Sequence, residues 1–106
     1  MGIFDWLRPT DINKGVEACR AEPGAVLLDV RTPQEYCEGR IPGSRNIPLQ
    51  SLGQVEAIAR DKGTPLFVYC YSGARSRCAV GMLRQMGYTR VEDIGGITGY
   101  RGQLER

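Results

Sequence analysis

Cys70 closes an apolar run, Leu66-Phe67-Val68-Tyr69, and is followed at once by Tyr71-Ser72-Gly73-Ala74-Arg75-Ser76. The run has strand length and a helical pattern begins after the glycine, so the cysteine is delivered into a tight loop between a strand and a helix. Such a loop favours an anion at its centre. Backbone N–H groups around a glycine can converge on one point, the positive end of the helix lies beside it, and Arg75 adds a full charge five positions after the sulfur. A cysteine in that setting is expected to be nucleophilic at neutral pH. A free cysteine ending a core strand is more commonly a small hydrophobe; the glycine, the arginine and the helix start behind Cys70 favour the nucleophile. Gly73 then serves a backbone angle or a close approach that a Cβ would block, and Tyr71, Ser72 and Ala74 line the mouth of the pocket.

The rest of the composition narrows the chemistry further. The sequence has no histidine, so Cys-His and Ser-His catalytic pairs and histidine-containing metal sites are excluded. Cys19, Cys37, Cys70 and Cys78 contain no C-x-x-C pair, which removes zinc ribbons and dithiol redox motifs. Neither a metal nor another cofactor is called for. Cys19, Cys37 and Cys78 read as core or helix-flank filling. A resolving role for Cys78 is the weaker reading, since a side chain one turn into the helix points along it, and Cys37 could approach the rim of the site. Asp29 and Arg31, just past a strand, read as a structural ion pair or loop brace supporting the site. Arginine outnumbers lysine twelve to two, yet Arg75 is the one whose position is tied to the loop.

The elements that must hold this loop follow from periodicity. Ile12, Val16 and Cys19 give Asp11–Ala21 a helical stripe, with Asp11 as cap and Pro23-Gly24 as terminator. Ala25–Val30 and Leu66–Tyr69 are continuous apolar runs, as strands covered on both faces require. Between them the pattern predicts a short helix over Pro33–Glu38, a turn through Ile41-Pro42-Gly43, and a helix over Ser51–Lys62 capped by Ser51. Ala79, Val80, Leu83 and Met86 continue the helix after the loop to Gly87. A last strand over Val91–Ile94 leads to Gly95-Gly96 and a closing helical turn. Alternating strands and helices make this an α/β domain with a largely parallel central sheet flanked by helices on both faces, its reactive loop at the carboxyl end of a strand.

Length and charge set outer bounds. At 106 residues the chain holds one domain over 1–106, with about residues 1–10 a loosely ordered N-terminal segment. A net charge of +2 without blocks of like charge gives no case for nucleic acid, and no apolar run is long enough for a membrane. The N-terminus lacks a secretory pattern and the cysteines lack a disulfide framework, so a cytoplasmic location is expected.

The loop resembles the active-site loop of the rhodanese family, here Cys-x-x-Gly-x-Arg between strand and helix. Four further pieces occur in the family's order. Leu27-Leu28-Asp29-Val30-Arg31 with Pro33-x-Glu35-Tyr36 is similar to its first strand and short helix. Gly39-Arg40-Ile41-Pro42-Gly43-Ser44-Arg45-Asn46-Ile47-Pro48 resembles its Gly-His-Ile-Pro-Gly signature. Arg75-Ser76 and Gly87-Tyr88 bracket a helix as the family does, and Gly95-Gly96 with Tyr100 matches its ending. Arg40 replaces the usual histidine and Tyr100 the common tryptophan, both at positions that look architectural.

The resemblance implies a rhodanese-like fold and a sulfurtransferase. Cys70 is then the catalytic nucleophile that carries a persulfide, and Tyr71, Ser72, Gly73, Ala74, Arg75 and Ser76 form the anion-binding loop. It implies a small anionic sulfur donor such as thiosulfate, with a protein sulfur donor or acceptor as a further partner. A second reading is a rhodanese-like sulfur carrier or protein-binding module without turnover. A third is a phosphatase or arsenate reductase of the related type, whose loop places five residues between cysteine and arginine. Here Tyr71, Ser72, Gly73 and Ala74 alone intervene, and the smaller ring favours sulfur over phosphate.

Overall fold

The computed structural model describes residues 11–106; the segment 1–10 expected to be loosely ordered lies outside them. Helix α1 (Ile12–Ala21) is capped by Asp11, whose side chain accepts the Asn13 N–H. Strand β1 (Val26–Asp29) leads to α2 (Pro33–Glu38) and a two-residue strand β2 (Arg45–Asn46). A 3-10 segment, Leu49–Gln54, passes into the single turn α3 (Val55–Ile58). Then come β3 (Leu66–Cys70), α4 (Ala74–Gln85), β4 (Val91–Gly96) and a 3-10 turn, Ile97–Gly99. The strands form one parallel sheet in the order β2-β1-β3-β4, so the expected α/β architecture is the observed one.

Two cores lie on opposite faces of this sheet. Alternation along β3 sends Leu66, Val68 and Cys70 to the face covered by Leu52, Val55, Ala59, Ala79, Val80 and Leu83. Phe67 and Tyr69 join Ile12, Val16, Cys19, Ile41 and Ile94 on the other. All five β3 residues are buried, which is why the strand reads as an unbroken apolar run.

The helix expected over Ser51–Lys62 is corrected to a much shorter one. Pro48 stands at the start of the 3-10 segment, Ser51 sits inside it at φ −115°, ψ 23° without a capping bond, and α3 ends at Ala59. Asp61 then closes a turn, its carboxylate accepting the Gly63 N–H at 2.8 Å and its carbonyl the Thr64 N–H at 3.0 Å. The apolar stripe survives the change, with Leu52, Val55 and Ala59 buried, because a 3-10 run followed by one α turn still presents one side to the sheet. Strand β2 was not foreseen; two residues carry no readable alternation. β4 runs two residues beyond its expected end, to Gly96.

Candidate active site

The loop after β3 is set by two glycines that act in different ways. Gly73 takes φ +107° with open space where a Cβ would sit, so it serves the backbone angle rather than a close approach. The close approach belongs to Gly96 of β4. A Cβ there would collide with the Tyr71 carbonyl oxygen and lie 2.6 Å from the Ser72 Cα. The Thr98 N–H also donates to the Tyr71 carbonyl, at 3.3 Å. The end of β4 is thus the floor on which the loop rests.

Cys70 is 1% exposed and its Sγ lies 3.0 Å from the Gly73 nitrogen, whose N–H it accepts. Gly73 caps α4, and no side chain caps that helix. The first N–H groups of a helix have no intrahelical partner, so the positive end of α4 is left to face the sulfur and whatever binds beside it. Ser76, in the first turn of α4, lies fully buried with its Oγ 3.5 Å from Sγ. That Oγ is also 3.1 Å from the Gly73 carbonyl and 2.8 Å from Asp93 Oδ1.

Arg75 is not a free loop cation. Its guanidinium grips Glu35 of α2 through both terminal nitrogens, Nη1 and Nη2, at 2.7 and 3.0 Å, and its side chain is about one third exposed. The charge that Arg75 brings to the loop is therefore shared with a carboxylate. Hydrogen bonding from Arg75 holds the Glu35 carboxyl down to about 2, against the upward push of partial burial. The Glu35 hydrogen bond in turn raises Arg75 above its ordinary value. Glu35 also completes a capping box with Thr32 at the start of α2, so α2 and α4 are tied together across the loop.

Asp29 and Arg31 form a second pair beneath this one. Arg31 Nη2 and Nε donate to Asp29 at 2.7 and 3.0 Å, Nη2 reaches the Gly39 carbonyl at 2.8 Å, and the Asp29 carboxylate accepts the Arg31 N–H at 2.9 Å. Burial pulls the Arg31 guanidinium down, but the hydrogen bonds and charge of Asp29 outweigh it and leave it raised. The pair fixes the turn from β1 to α2.

Beside the loop lies a cleft of about 430 Å³ lined by Arg31, Glu35, Glu38, Tyr71, Ile97 and Leu104, among others. Of the loop residues expected at the pocket mouth, Tyr71 lines this cleft with about half its surface exposed. Ser72 and Ala74 are exposed and outside its lining. Cys37 and Cys78 are exposed and fill no core, unlike Cys19, which does. Arg40 exchanges both backbone hydrogen bonds with Glu105 at 2.8 Å and lies over the Tyr36 ring, while Tyr100 packs against the α1-side core.

Sequence reading missed Glu35 as the partner of Arg75, Gly96 as the loop's floor and Asp93 as the partner of Ser76. Asp93 left no clear signal, because it stands in β4 beside a second acidic residue, the exposed Glu92.

A parallel four-stranded sheet with a cysteine loop at the end of a central strand and an arginine five positions on defines a class, and comparison with known proteins supplies its name. Residues 10–103 match the family model described as a rhodanese-like domain, and the chain belongs to that family as a single rhodanese domain. It is 41% identical over 71 residues to the thiosulfate sulfurtransferase PspE of Escherichia coli, covering 66% of this chain and 68% of that protein. It is 40% identical over 75 residues to the thiosulfate sulfurtransferase GlpE of Pseudomonas paraeruginosa, covering 71% and 67%. Over 96 residues, 90% of the chain, it is 34% identical to the adenylyltransferase and sulfurtransferase uba4 of Ogataea parapolymorpha, of which it spans a quarter. Among solved structures, a rhodanese with anions from E. coli superposes with a TM-score of 0.73 at 32% identity, covering 77% of this chain and 98% of that one. Among the described residues no helix is long and apolar enough to cross a membrane.

Proposed function

We propose that this domain transfers sulfane sulfur from thiosulfate or a persulfide donor to a thiophilic acceptor, carrying it on Cys70. The observation that carries the reading is the Gly73 N–H aimed at Cys70 Sγ from the head of α4, which no side chain caps. The Cys70 thiolate attacks the outer sulfur of thiosulfate, the donor's S–S bond breaks, and sulfite leaves with the electron pair. The anionic persulfide left on Cys70 is held by loop N–H donors fixed in advance by Gly73 and Gly96, which need little reorganisation when charge develops. The acceptor then attacks that outer sulfur and frees Cys70. The cleft beside Tyr71 is the approach we assign to donor and acceptor.

Identity with PspE and GlpE, both thiosulfate sulfurtransferases by name, supports thiosulfate as the donor. The match over 90% of the chain to uba4, an adenylyltransferase and sulfurtransferase by name, supports sulfur transfer as the class of reaction. Incubation with thiosulfate is expected to add one sulfur atom to Cys70 by mass spectrometry, and cyanide to remove it as thiocyanate. Loading and turnover that persist in Cys70→Ser would sink the assignment.

A further inference from the structure

Cys70 has little direct contact with water to take its proton. The residue is 1% exposed and its hydroxyl neighbour Ser76 is fully buried, yet a thiol must lose that proton to become the nucleophile. A path does leave the site through the sheet. The Ser76 hydroxyl lies 3.5 Å from Cys70 Sγ and 2.8 Å from Asp93 Oδ1, and Asp93 is only partly buried. The register explains how the carboxylate comes to be there. Asp93 pairs with Val68, which points to the α4 face as Cys70 does, and the pairing of β3 with β4 shifts by one residue just after it. The Gly95 N–H, within that irregularity, donates to the same Oδ1 at 3.0 Å and holds the carboxylate toward Ser76.

We propose that Ser76 and Asp93 form a proton relay for Cys70, with Ser76 in contact with the reacting sulfur and Asp93 a positioning residue that receives the proton. The inference rests on Cys70 being the nucleophile. Ser76 has one proton to give, and the charged Asp93 is its shorter contact, so the serine oxygen is left to accept from the thiol. As the attacking Cys70 thiolate forms, its S–H bond breaks and a new O–H bond forms on Ser76. The original Ser76 proton moves to Asp93 Oδ1, so the carboxylate becomes a carboxylic acid and the sulfur keeps its electron pair. Asp93 then releases the proton to solvent. The other charged groups around the thiol are Arg75 on α4, Glu35 on α2 and the Asp29–Arg31 pair at the end of β1; each is bound to an opposite charge, which leaves Asp93 as the acceptor.

Alkylation of Cys70 by iodoacetamide, followed by peptide mass spectrometry because the exposed Cys37 and Cys78 react as well, tests the relay without requiring sulfur transfer. Asp93→Asn and Ser76→Ala are each expected to slow it at neutral pH by about a hundredfold, with the deficit closing at alkaline pH, where hydroxide ionises the thiol directly. The double variant should be no slower than the slower single one, since the two groups act in series. A deficit constant with pH, or single effects that multiply, would make Asp93 a structural support and overturn the relay. A faster Asp93→Asn would also overturn it, leaving Asp93 as a charge that only opposes the thiolate. The wild type supplies a test independent of folding: its neutral alkylation rate should fall along a bowed curve as deuterium replaces solvent hydrogen, the sign of two protons in motion, and a flat response would overturn the relay. A relay seen here beside failure of thiosulfate to load Cys70 would leave the relay standing and remove the sulfurtransferase reading.

Discussion

Two arginine–carboxylate pairs brace the reactive loop, and their surroundings differ. Asp29–Arg31 lies in the interior, with side-chain exposures of 0% and 5%, whereas Glu35–Arg75 lies at the rim, at 28% and 34%. The buried pair is satisfied from several sides, Arg31 adding the Gly39 carbonyl and Asp29 the Arg31 N–H. Charges taken out of water are tolerated only when their hydrogen bonds are met, so losing one partner leaves the other stranded. The rim pair is partly solvated and has less to lose in stability. Its partner Arg75 follows the sulfur by five positions, so its importance lies in the loop's charge. Under the proposed function, the interior pair holds the site's foundation and the rim pair adjusts its electrostatics.

The comparison is broken most sharply by Arg31→Met, which strands Asp29 at zero exposure. Denaturant unfolding is expected to show a loss of about 3–5 kcal/mol. A loss no larger than that of a rim variant would erase the distinction.

Arg75→Ala tests the other half. Unfolding free energy should change by only about 0–1 kcal/mol, while kcat/KM for thiosulfate falls by about ten- to hundredfold, the equivalent of one charge-assisted contact of about 1.5–3 kcal/mol. Arg75→Lys should recover part of this, because a point charge cannot reproduce the two-pronged grip on Glu35. Unchanged kinetics in a folded variant would remove Arg75 from the site's chemistry.

The β4 floor belongs with the foundation. Gly96→Ala puts a methyl group against loop backbone, which cannot swing aside as a side chain can, and a cost of about 1–3 kcal/mol is expected. Sulfur loading of Cys70 should fall with it. Thermal unfolding and mass spectrometry on one preparation would reveal whether loop and floor are coupled.

The smallest effect is the pH dependence of the rim pair. The Glu35 carboxyl is held at about 2, below its ordinary value of 4.5. A group with a depressed folded value adds stability above its unfolded value and loses it as pH falls toward the folded one. The stability difference between wild type and Glu35→Gln should therefore be constant above about pH 4.5 and vanish toward about pH 2. High salt should shrink it as well. A difference that persists below pH 2 would mean that Glu35 acts through packing rather than charge.

How far the sequence could be read depended on the range of each interaction. Ile12, Val16 and Cys19 announce α1 because three residues repeat within one element, and all three are buried. The same local rule fails for Ser51–Lys62. Residues 49–58 form a 3-10 run and one α turn there, with the same stripe buried and a different winding, a choice made by the packing of the segment against the sheet. Gly73 was legible as a special residue, but the sequence left open whether angle or space required it, and only the contacts around it and around Gly96 separate the two.

The sequence by itself determined the parallel α/β architecture, the family and the placing of Cys70 at a strand end before a helix, because each depends on periodicity or on residues adjacent in the chain. Tertiary structure alone decided what those residues face. Glu35 is 40 residues from Arg75, Asp93 is 17 from Ser76, and Gly96 meets the Tyr71–Ser72 backbone across the sheet. No local preference links positions so far apart. Their meeting is fixed by strand order, by the shift in register between β3 and β4, and by the face to which alternation sends each side chain.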